Sequence, residues 1–523
     1  MGIAAALPAD RAEICPGDVV NSWQAIHFPL ASLLTRGGDE RLRIDPATGL
    51  NVYGCAPHPR TGTIEFCSST ASSISETAFA RIGQARDALV RDMAARGAET
   101  AFEQQVERMR RSLLLMLGLV GSGTDVVFSP SGTDSQLHAL FLAKLALGGP
   151  VTSIVCAADQ TGSGTAFTSR GQHYSASTAL GETVEKGASI DGEAVTSIPI
   201  PLFREDGTRR SAAEIDHAVM SAVEREIASG RKVLLQIMDS SKLGWRAPSE
   251  ACAEAIALCW PRDVQIVVDA CQLRSGRTRL KSALERGWMV LVTGSKFFTA
   301  PGFCGATLVP RALACRIADR DAPNGLAAYA TRFDLPAQWQ RLRAALSAEP
   351  NFGQWLRWEA ALEEMSAFYA LPSRFAASLF TRLSKAVPQI MAGSRSLEWM
   401  KEEGGCPLDR ADGEMPVPTV FPFFVKVSSG RLSHDAMVNL YRVLNRELAL
   451  GSNNDERRAA ATLCHIGQPV KLPCGSVLRL ALGARTASEA WHGDEAVIER
   501  NVKRIIENIH TVTAKIDLLA EQS

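Results

Sequence analysis

Two short apolar runs, each followed by a polar or charged group, dominate the middle of the chain. Ile266–Val268 leads into Asp269, and Met289–Val292 leads into Thr-Gly-Ser-Lys, which ends at Lys296. Runs of this length between polar and glycine residues are typical of parallel strands buried on both faces. Since open α/β sheets bind ligands beyond the carboxyl ends of their strands, the pattern predicts an acid and a lysine at one sheet edge.

The acid and the lysine suit one kind of cofactor chemistry. Lysine forms a Schiff base with an aldehyde, and a carboxylate keeps a pyridine nitrogen protonated. Asp-x-x-Gln from Asp269, Thr-Gly-Ser-Lys ending at Lys296 and the following Pro-Gly-x-x-Gly resemble the fold type I pyridoxal-phosphate (PLP) enzymes. The most similar branch is the class V aminotransferase and cysteine desulfurase-like group. The alternative is a buried acid and a surface lysine in an unrelated α/β protein.

A second informative segment runs from a short strand pattern at Val126 into Ser131-Gly132-Thr133, where a helix begins. Free amides and hydroxyls at a helix N-terminus bind anions, and a glycine lets the chain turn tightly. This tripeptide resembles the Ser-Gly-Thr phosphate cup of the same enzyme group, and it stands in the expected order before the acid and the lysine.

The alternation of strand and helix patterns predicts an α/β fold with a mainly parallel sheet. The resemblance implies the PLP-dependent transferase fold type I, with a seven-stranded-type sheet in a large domain and a smaller α+β C-terminal domain. We expect an N-terminal arm at 1–60, a large PLP-binding domain at 61–345, and a linking helix with the small domain at 346–523. A helical stretch is predicted over roughly 82–117, from good helix formers and many paired charges.

Two positions depart from the pattern of the group. Asp159, Gln160 and Thr161 occupy the region where desulfurase-like relatives usually carry a histidine that stacks on the cofactor ring. This difference indicates different chemistry or a different substrate. At the end of a later strand pattern, Ser241 aligns with an asparagine that contacts the ring hydroxyl in relatives.

The segment Val477-Leu-Arg-Leu resembles the part of these enzymes that holds the substrate α-carboxylate, and it selects Arg479. The planar guanidinium suits bidentate binding of a carboxylate. The alternative is a strand arginine that pairs with an acid of the protein. Arg485 is the second choice for the substrate carboxylate.

Cys464 is a candidate nucleophile. It lies fifteen residues before Arg479, a spacing similar to that of the persulfide-carrying cysteine in one type of cysteine desulfurase. A catalytic thiol needs exposure and a lowered pKa. The local motif differs, because relatives place a proline closer to the cysteine and a histidine before the lysine, where this chain has Ser295. Chance spacing among twelve cysteines is the alternative.

The resemblance implies a role for each matched residue. Lys296 carries the Schiff base and moves protons at the substrate α-carbon, and Asp269 pairs with the pyridine nitrogen. Gln272, with Ser241, bonds the ring hydroxyl, and Arg479 binds the substrate carboxylate. The phosphate is held by four residues: Gly132, Thr133, Thr293 and Ser295. Since these enzymes usually build each site from two subunits, a homodimer with shared sites is implied.

The composition argues against several classes of partner. With 56 basic and 56 acidic residues, nothing predicts binding to nucleic acid or to an acidic membrane surface. No apolar run reaches the length of a membrane span, no metal-binding cysteine spacing is present, and the N-terminus lacks the features of a signal peptide. We therefore expect a cytoplasmic, reduced protein that acts on a small molecule.

One cofactor geometry supports many reactions. We expect a PLP-dependent enzyme that acts on an amino acid through a Lys296 Schiff base, and an aminotransferase is favoured. The alternative is a PLP-dependent lyase, either cysteine desulfurase-like or a β/γ-replacement enzyme of a biosynthetic pathway. A cofactor-binding regulator would need a DNA-binding module, and the first 60 residues show no helix-turn-helix pattern.

Overall fold

The computed structural model describes residues 22–193, 195–400, 414–415 and 417–522. Residues 1–21 of the predicted arm lie outside this part of the chain. The strands within it are β1 Ile64–Phe66, β2 Asp125–Ser129, β3 Val151–Cys156, β4 Thr196–Ile200, β5 Lys232–Met238, β6 Val264–Asp269, β7 Met289–Thr293, β8 Gly305–Val309, β9 Leu397–Trp399, β10 Val420–Val427, β11 Gly430–Arg431, β12 Cys464–Leu472 and β13 Gly475–Ala481.

Helices cover both sheets that these strands form. The α-helices in the described residues are α1 Ser22–Ala25, α2 Leu30–Leu34, α3 Glu76–Arg96, α4 Ala98–Met116, α5 Gly132–Leu147, α6 Thr165–Thr168, α7 Ala212–Ala228, α8 Glu250–Cys259, α9 Arg277–Glu285, α10 Arg311–Ile317, α11 Gln340–Arg343, α12 Phe352–Tyr369, α13 Ser373–Ala392, α14 His434–Leu444, α15 Asn454–Ala461, α16 Ala484–Ala490 and α17 Glu495–Ala520.

The larger sheet contains seven strands of the described chain in the order β2-β8-β7-β6-β5-β3-β4. The pairs from β7 to β4 are parallel, whereas β8 runs antiparallel to both β7 and β2. Strands β6 and β7 are almost wholly buried, as their continuous apolar sequences predict. The predicted fold class, an α/β protein with a mainly parallel seven-stranded sheet, is confirmed.

The smaller sheet has the order β1-β12-β13-β10-β11, and β9 also pairs with β10. All its pairs are antiparallel except β1 with β12. With helices α13, α14 and α17 around it, this sheet forms the smaller α+β unit that the resemblance implies. The domain limits remain a prediction, and β1, which falls within the range 61–345, pairs with this smaller sheet.

The long helix expected over roughly 82–117 is two helices. Helix α3 ends at Arg96 and α4 begins at Ala98, with Gly97 between them at φ 84°. A positive φ interrupts helical geometry and is open to glycine at little steric cost. The helical stretch was predicted from its paired charges, which both helices contain. The break at Gly97 was not predicted.

No helix among the residues described is both long and apolar enough to cross a membrane.

Candidate active site

A cavity at the carboxyl edge of the larger sheet brings together most of the predicted site residues. It lies beyond the ends of β5, β6 and β7 and beside the N-terminus of α5, where loops from several strands meet. The predicted residues that line it are Gly132, Thr133, Asp269, Gln272, Thr293, Ser295, Lys296 and Arg479. Lys296 and Asp269, separated by the whole of α9, therefore share one cavity.

Asp269 is fixed by hydrogen bonds to both of its carboxylate oxygens. The side-chain amide of Gln136 donates to Oδ2 at 3.0 Å, and the backbone N–H of Cys271 donates to Oδ1 at 3.1 Å. Gln136 in turn accepts from Thr165 at 2.8 Å. This network orients the carboxylate and leaves further lone pairs that can accept a hydrogen bond from a ligand. Gln136 lies on α5, and sequence reasoning did not identify it.

The N-terminus of α5 forms one wall of the cavity. Ser131 caps the helix, accepting from the backbone N–H groups of Thr133 at 3.2 Å and Asp134 at 3.3 Å. A Cβ on Gly132 would come within 2.9 Å of the Cys271 sulfur, so only glycine fits without displacing that side chain. The Thr293 hydroxyl already donates to the Cys271 carbonyl at 2.7 Å, which fixes its position at the strand end.

Arg41 approaches the same helix N-terminus from the N-terminal part of the chain. Its Nε and Nη2 donate to the two oxygens of Asp39 at 2.7 and 2.5 Å. Its remaining donor directions face Thr133 Oγ1 at 3.4 Å and Ser131 Oγ at 3.3 Å. The charge of the guanidinium is paired with Asp39, and its other donors are directed to the place where an anion would bind. Sequence reasoning missed Arg41, because no local motif marks a residue 90 positions from its partner.

The strand end after β3 contributes an unusual polar group. Gln160 is 1% exposed and lines the cavity, yet both atoms of its amide lack a hydrogen-bond partner within the described chain. Thr161 also lines the cavity. Asp159 does not, because its carboxylate accepts from the backbone N–H groups of Leu202 and Phe203 at 2.9 and 3.1 Å. Buried polar groups are almost always paired, so the free amide points to a ligand.

Two basic side chains, Arg479 and Lys242, line another wall of the cavity. Arg479 is 1% exposed, and burial lowers its pKa to about 10. It donates to Thr70 Oγ1 at 2.9 Å and to the Gln468 carbonyl at 3.0 Å, which fix the plane of the guanidinium. Lys242, which sequence reasoning did not select, has its pKa lowered to about 8 by burial and by the neighbouring cations Arg479 and Lys296. Positive charge is therefore concentrated on this wall.

Gln272 lines the cavity but has both ends of its amide engaged. Its Nε2 donates to the Ser69 carbonyl at 3.0 Å, and its Oε1 accepts from Arg274 Nε at 3.1 Å. The hydroxyl of Ser69 also lines the cavity and has no partner among the described residues. Both side chains thus belong to the wall, with the amide of Gln272 held in place.

Three residues selected from the sequence, Ser241, Cys464 and Arg485, lie outside the cavity. Ser241 does not line the cavity, because its hydroxyl accepts from the backbone N–H groups of Leu243 and Trp245 in a tight turn, each at 3.1 Å. Its neighbours on either side, Ser240 and Lys242, line the cavity instead. The polar end of β5 was recognised, but the residue that faces the site differs by one position.

Cys464 lies away from the cavity, at the start of β12 and fully buried. Burial raises the pKa of its thiol to about 11, the opposite of what a nucleophile needs. The assignment of Cys464 as a possible nucleophile is therefore not supported by this geometry. Arg485, the second choice for the substrate carboxylate, also lies outside the cavity and forms ion pairs with Glu65 and Glu364 at 3.0 and 2.9 Å.

No protein-family model matches the sequence, and no curated protein matches it. Among solved structures, a NifS-like protein superposes with a TM-score of 0.46 at 13% identity, over 85% of this chain and 98% of that protein. The cystine C-S lyase C-DES, in complex with its product cysteine persulfide, gives a TM-score of 0.48 at 14% identity, over 86% of this chain and 98% of the lyase.

Mouse CSAD gives a TM-score of 0.47 at 16% identity, over 88% of this chain and 84% of that protein. At these identities and TM-scores the likenesses identify neither a substrate nor a reaction for this chain. The proposals below therefore rest on the residues of the cavity.

Proposed function

We propose that the chain is a PLP-dependent enzyme that acts on an amino acid through Lys296. The observation that carries this proposal is the meeting of Lys296 and Asp269 in one cavity with the N-terminus of α5. These groups are a primary amine, a hydrogen-bonded carboxylate and an anion-binding helix end. They correspond to the aldehyde, the pyridine nitrogen and the phosphate of one cofactor.

The residues of the cavity fit this cofactor. The close approach of Gly132 to Cys271 leaves backbone and hydroxyl donors at the helix end without a side chain in front of them. Arg41, which is paired with Asp39, adds hydrogen-bond donors there, beside the carboxylate of Asp134, whose pKa is raised to about 6 by burial and by Asp39. The unpartnered amide of Gln160 lies in the region where relatives contact the cofactor ring.

When bound, PLP forms a Schiff base with amino groups and withdraws electrons from the bonds of the substrate α-carbon. Lys296 supplies the amine for attachment and, once released, accepts or returns the proton at the α-carbon. Asp269 would accept a hydrogen bond from the ring nitrogen, and Gln136 keeps its carboxylate oriented. Gly132, Thr133, Thr293 and Ser295 would hold the phosphate. Gln160 would take the place of the histidine beside the ring.

Arg479 binds the α-carboxylate of the substrate in this proposal. Its guanidinium is held by carbonyl groups and the Thr70 hydroxyl instead of protein carboxylates, so its charge is not neutralised by a protein acid within ion-pair distance in the described chain. Lys242 lies on the same wall and likewise forms no salt bridge among the residues described. We therefore favour a substrate that carries a second anionic group for Lys242.

The reaction proposed first is transamination, as the class V resemblance suggests, and the alternative is a lyase or replacement reaction at the β- or γ-carbon. Both reactions begin when a C–H bond at the substrate α-carbon is broken. Lys296 accepts the proton in either case. The buried position of Cys464 argues against transfer of sulfur to that thiol. It does not separate transamination from an elimination that needs no cysteine.

The test is an absorbance titration of the purified protein with PLP, followed by single turnover with a panel of amino acids. The proposal predicts a visible band on cofactor binding that Lys296→Ala abolishes. Lys281→Ala, a change of an exposed lysine on α9, is the matched control and keeps the band. Absence of a band in the wild-type protein would refute the proposal.

The products separate the two reactions. Pyridoxamine phosphate with a keto acid supports transamination, whereas the return of the original band with release of ammonia or another leaving group supports the lyase alternative. Amino acids with an acidic side chain are expected to react faster than neutral ones of the same length, because Lys242 faces the cavity.

The homodimer and the cytoplasmic location expected from the sequence are also proposals. Sedimentation of the cofactor-loaded protein tests the first, with a mass of two chains as the expected result and a mass of one chain as the contradicting one.

A further inference from the structure

A second group of reactive side chains lies at the edge of the smaller sheet that β1 forms, outside the cavity of Lys296. Strand β1 pairs in parallel with β12, and Glu65 lies directly opposite His465 in this pairing. Because side chains alternate along a strand, Cys67 extends from the same face as Glu65. One carboxylate oxygen, the Cys67 sulfur and one imidazole nitrogen all lie within 4.8 Å of one another. We call these three residues the Glu65–Cys67–His465 cluster.

Two atoms of the cluster face each other without a hydrogen bond. Glu65 Oε1 and His465 Nδ1 are 3.9 Å apart, beyond hydrogen-bond distance. Both atoms are buried, and neither has a hydrogen-bond partner in the described residues. Zinc binds nitrogen and carboxylate oxygen at about 2.0–2.2 Å in tetrahedral geometry, so two such ligand atoms lie about 3.4 Å apart. The two atoms would move closer by about 0.5 Å to share one ion.

The other atoms of the same side chains are held by the surrounding protein. His465 Nε2 lies 2.8 Å from the Tyr53 carbonyl, which can only accept, so Nε2 carries a hydrogen. Nδ1 faces the cluster and binds a metal through its lone pair once the ring has lost its second proton. Arg485 donates to Glu65 Oε2 at 3.0 Å and leaves Oε1 directed at the histidine. Such outer contacts orient the ligands of metal sites.

The cluster can be reached from solvent. Glu65 and Cys67 line a cavity of about 400 Å³ on the other side of the segment 68–72 from the cavity of Lys296. Ser72, whose hydroxyl is 3.4 Å from the Cys67 sulfur, lines it too. This opening gives a path for an ion and room for a water molecule as a fourth ligand.

We propose that Glu65, Cys67 and His465 bind one divalent transition-metal ion of the zinc type. A thiolate, an imidazole and one carboxylate favour such an ion over magnesium or calcium, which prefer oxygen ligands. Cys67 binds as the thiolate, and its proton passes to solvent. The ion joins β1 to β12 and so fixes the start of the segment whose Ser69 and Thr70 line the cavity of Lys296.

The experiment is a titration of chelator-treated protein, loaded with its cofactor, with Co²⁺ as an optical probe and then Zn²⁺ by calorimetry. A background variant removes other thiols that bind metals without a built site: Cys259, Cys315 and Cys474, which are exposed or partly exposed, and Cys15 and Cys406, which lie outside the described residues, are changed to serine. In this background we expect one equivalent of Co²⁺ per chain, with a thiolate-to-metal absorption band, displaced by one equivalent of Zn²⁺.

Adding Cys67→Ser to the background removes the thiolate band and weakens Zn²⁺ binding by more than about 100-fold, since outer contacts alone account for 10–100-fold in metal sites. His465→Gln weakens binding while leaving a sulfur ligand. A background variant that binds no Co²⁺, or that keeps the full band after Cys67→Ser, overturns the proposal. The first of these results needs no change in the cluster, so it decides the matter even where Cys67→Ser prevents folding.

Discussion

The cavity of Lys296 and the Glu65–Cys67–His465 cluster lie on either side of the short segment 68–72, but they are built differently. The cavity collects side chains from the loops after β3, β5, β6 and β7 and from the N-terminus of α5. The cluster consists of side chains from two paired strands and from the residue that directly follows one of them. Loops at strand ends bring distant residues to one ligand, whereas paired strands fix a few atoms at a set spacing.

This difference explains the chemistry that each region supports. The cavity has cations, a carboxylate and an unpartnered amide spread over walls wide enough for an organic cofactor and a substrate. The cluster offers three ligand atoms within 4.8 Å, which suits a single ion. Changes in the cavity should therefore alter turnover, and changes in the cluster should alter metal content and stability.

The largest effect is expected for Asp269→Asn. The amide cannot keep a pyridine nitrogen protonated, and it disturbs the hydrogen bond from Gln136. We expect kcat to fall by about 10²–10³-fold, the range found when one group that stabilises transition-state charge is removed. Steady-state kinetics with cofactor in excess measures it. Co²⁺ binding at the cluster should be unchanged, and a loss of both would mean that the two regions are not independent.

Arg479→Lys tests the assignment of the substrate carboxylate. Lysine keeps the charge but cannot form two parallel hydrogen bonds. KM should rise by about 10- to 100-fold, the worth of a hydrogen bond to a charged group, with a smaller change in kcat. Arg485→Lys is the matched control, because Arg485 lies on the side of the cluster. An increase in KM for Arg485→Lys alone would reverse the assignment.

Substrate affinity of the cavity should depend on pH through Lys242, and the cluster should not affect it. Its pKa is lowered to about 8, so the ammonium is charged below that pH and becomes neutral as the pH rises through it. Affinity for a substrate with a second anionic group should therefore fall above pH 8, roughly tenfold. Lys242→Gln should lower the affinity at pH 7 and flatten this limb of the kcat/KM profile. A limb that persists in Lys242→Gln belongs to another group.

The smallest effect is expected for Cys464→Ala. The thiol is fully buried and distant from the cavity, so the change removes a little packing and costs about 1 kcal/mol of stability. Turnover should stay at the wild-type level, and denaturant unfolding measures the stability. A loss of activity in a variant that remains folded would restore Cys464 as a candidate nucleophile.

Sequence patterns predicted the parts of the cavity that depend on local order along the chain. Buried strands ending in Asp269 and Lys296, and a helix starting at Gly132, follow from apolar runs and a glycine-bearing turn. The large parallel sheet follows from their alternation with helices. The polar end of β5 was also recognised, although the turn after it directs Lys242 instead of Ser241 into the cavity.

What the sequence did not reveal depends on contacts between distant segments. Arg41 reaches α5 from the N-terminal part of the chain, and Gln136 looks like an ordinary helix residue until its bond to Asp269 is known. The Glu65–Cys67–His465 cluster depends on the pairing of two strands about 400 residues apart. No spacing rule marks such a pair, because the pairing register is set by packing of the whole sheet.

The most direct test of the central claim is to reduce the PLP-loaded protein with borohydride and to locate the cofactor by peptide mass spectrometry. The account predicts a single modified residue, Lys296, with the peptide that contains Lys242 unmodified. A cofactor fixed on Lys242, or spread over surface lysines in proportion to their exposure, would contradict it.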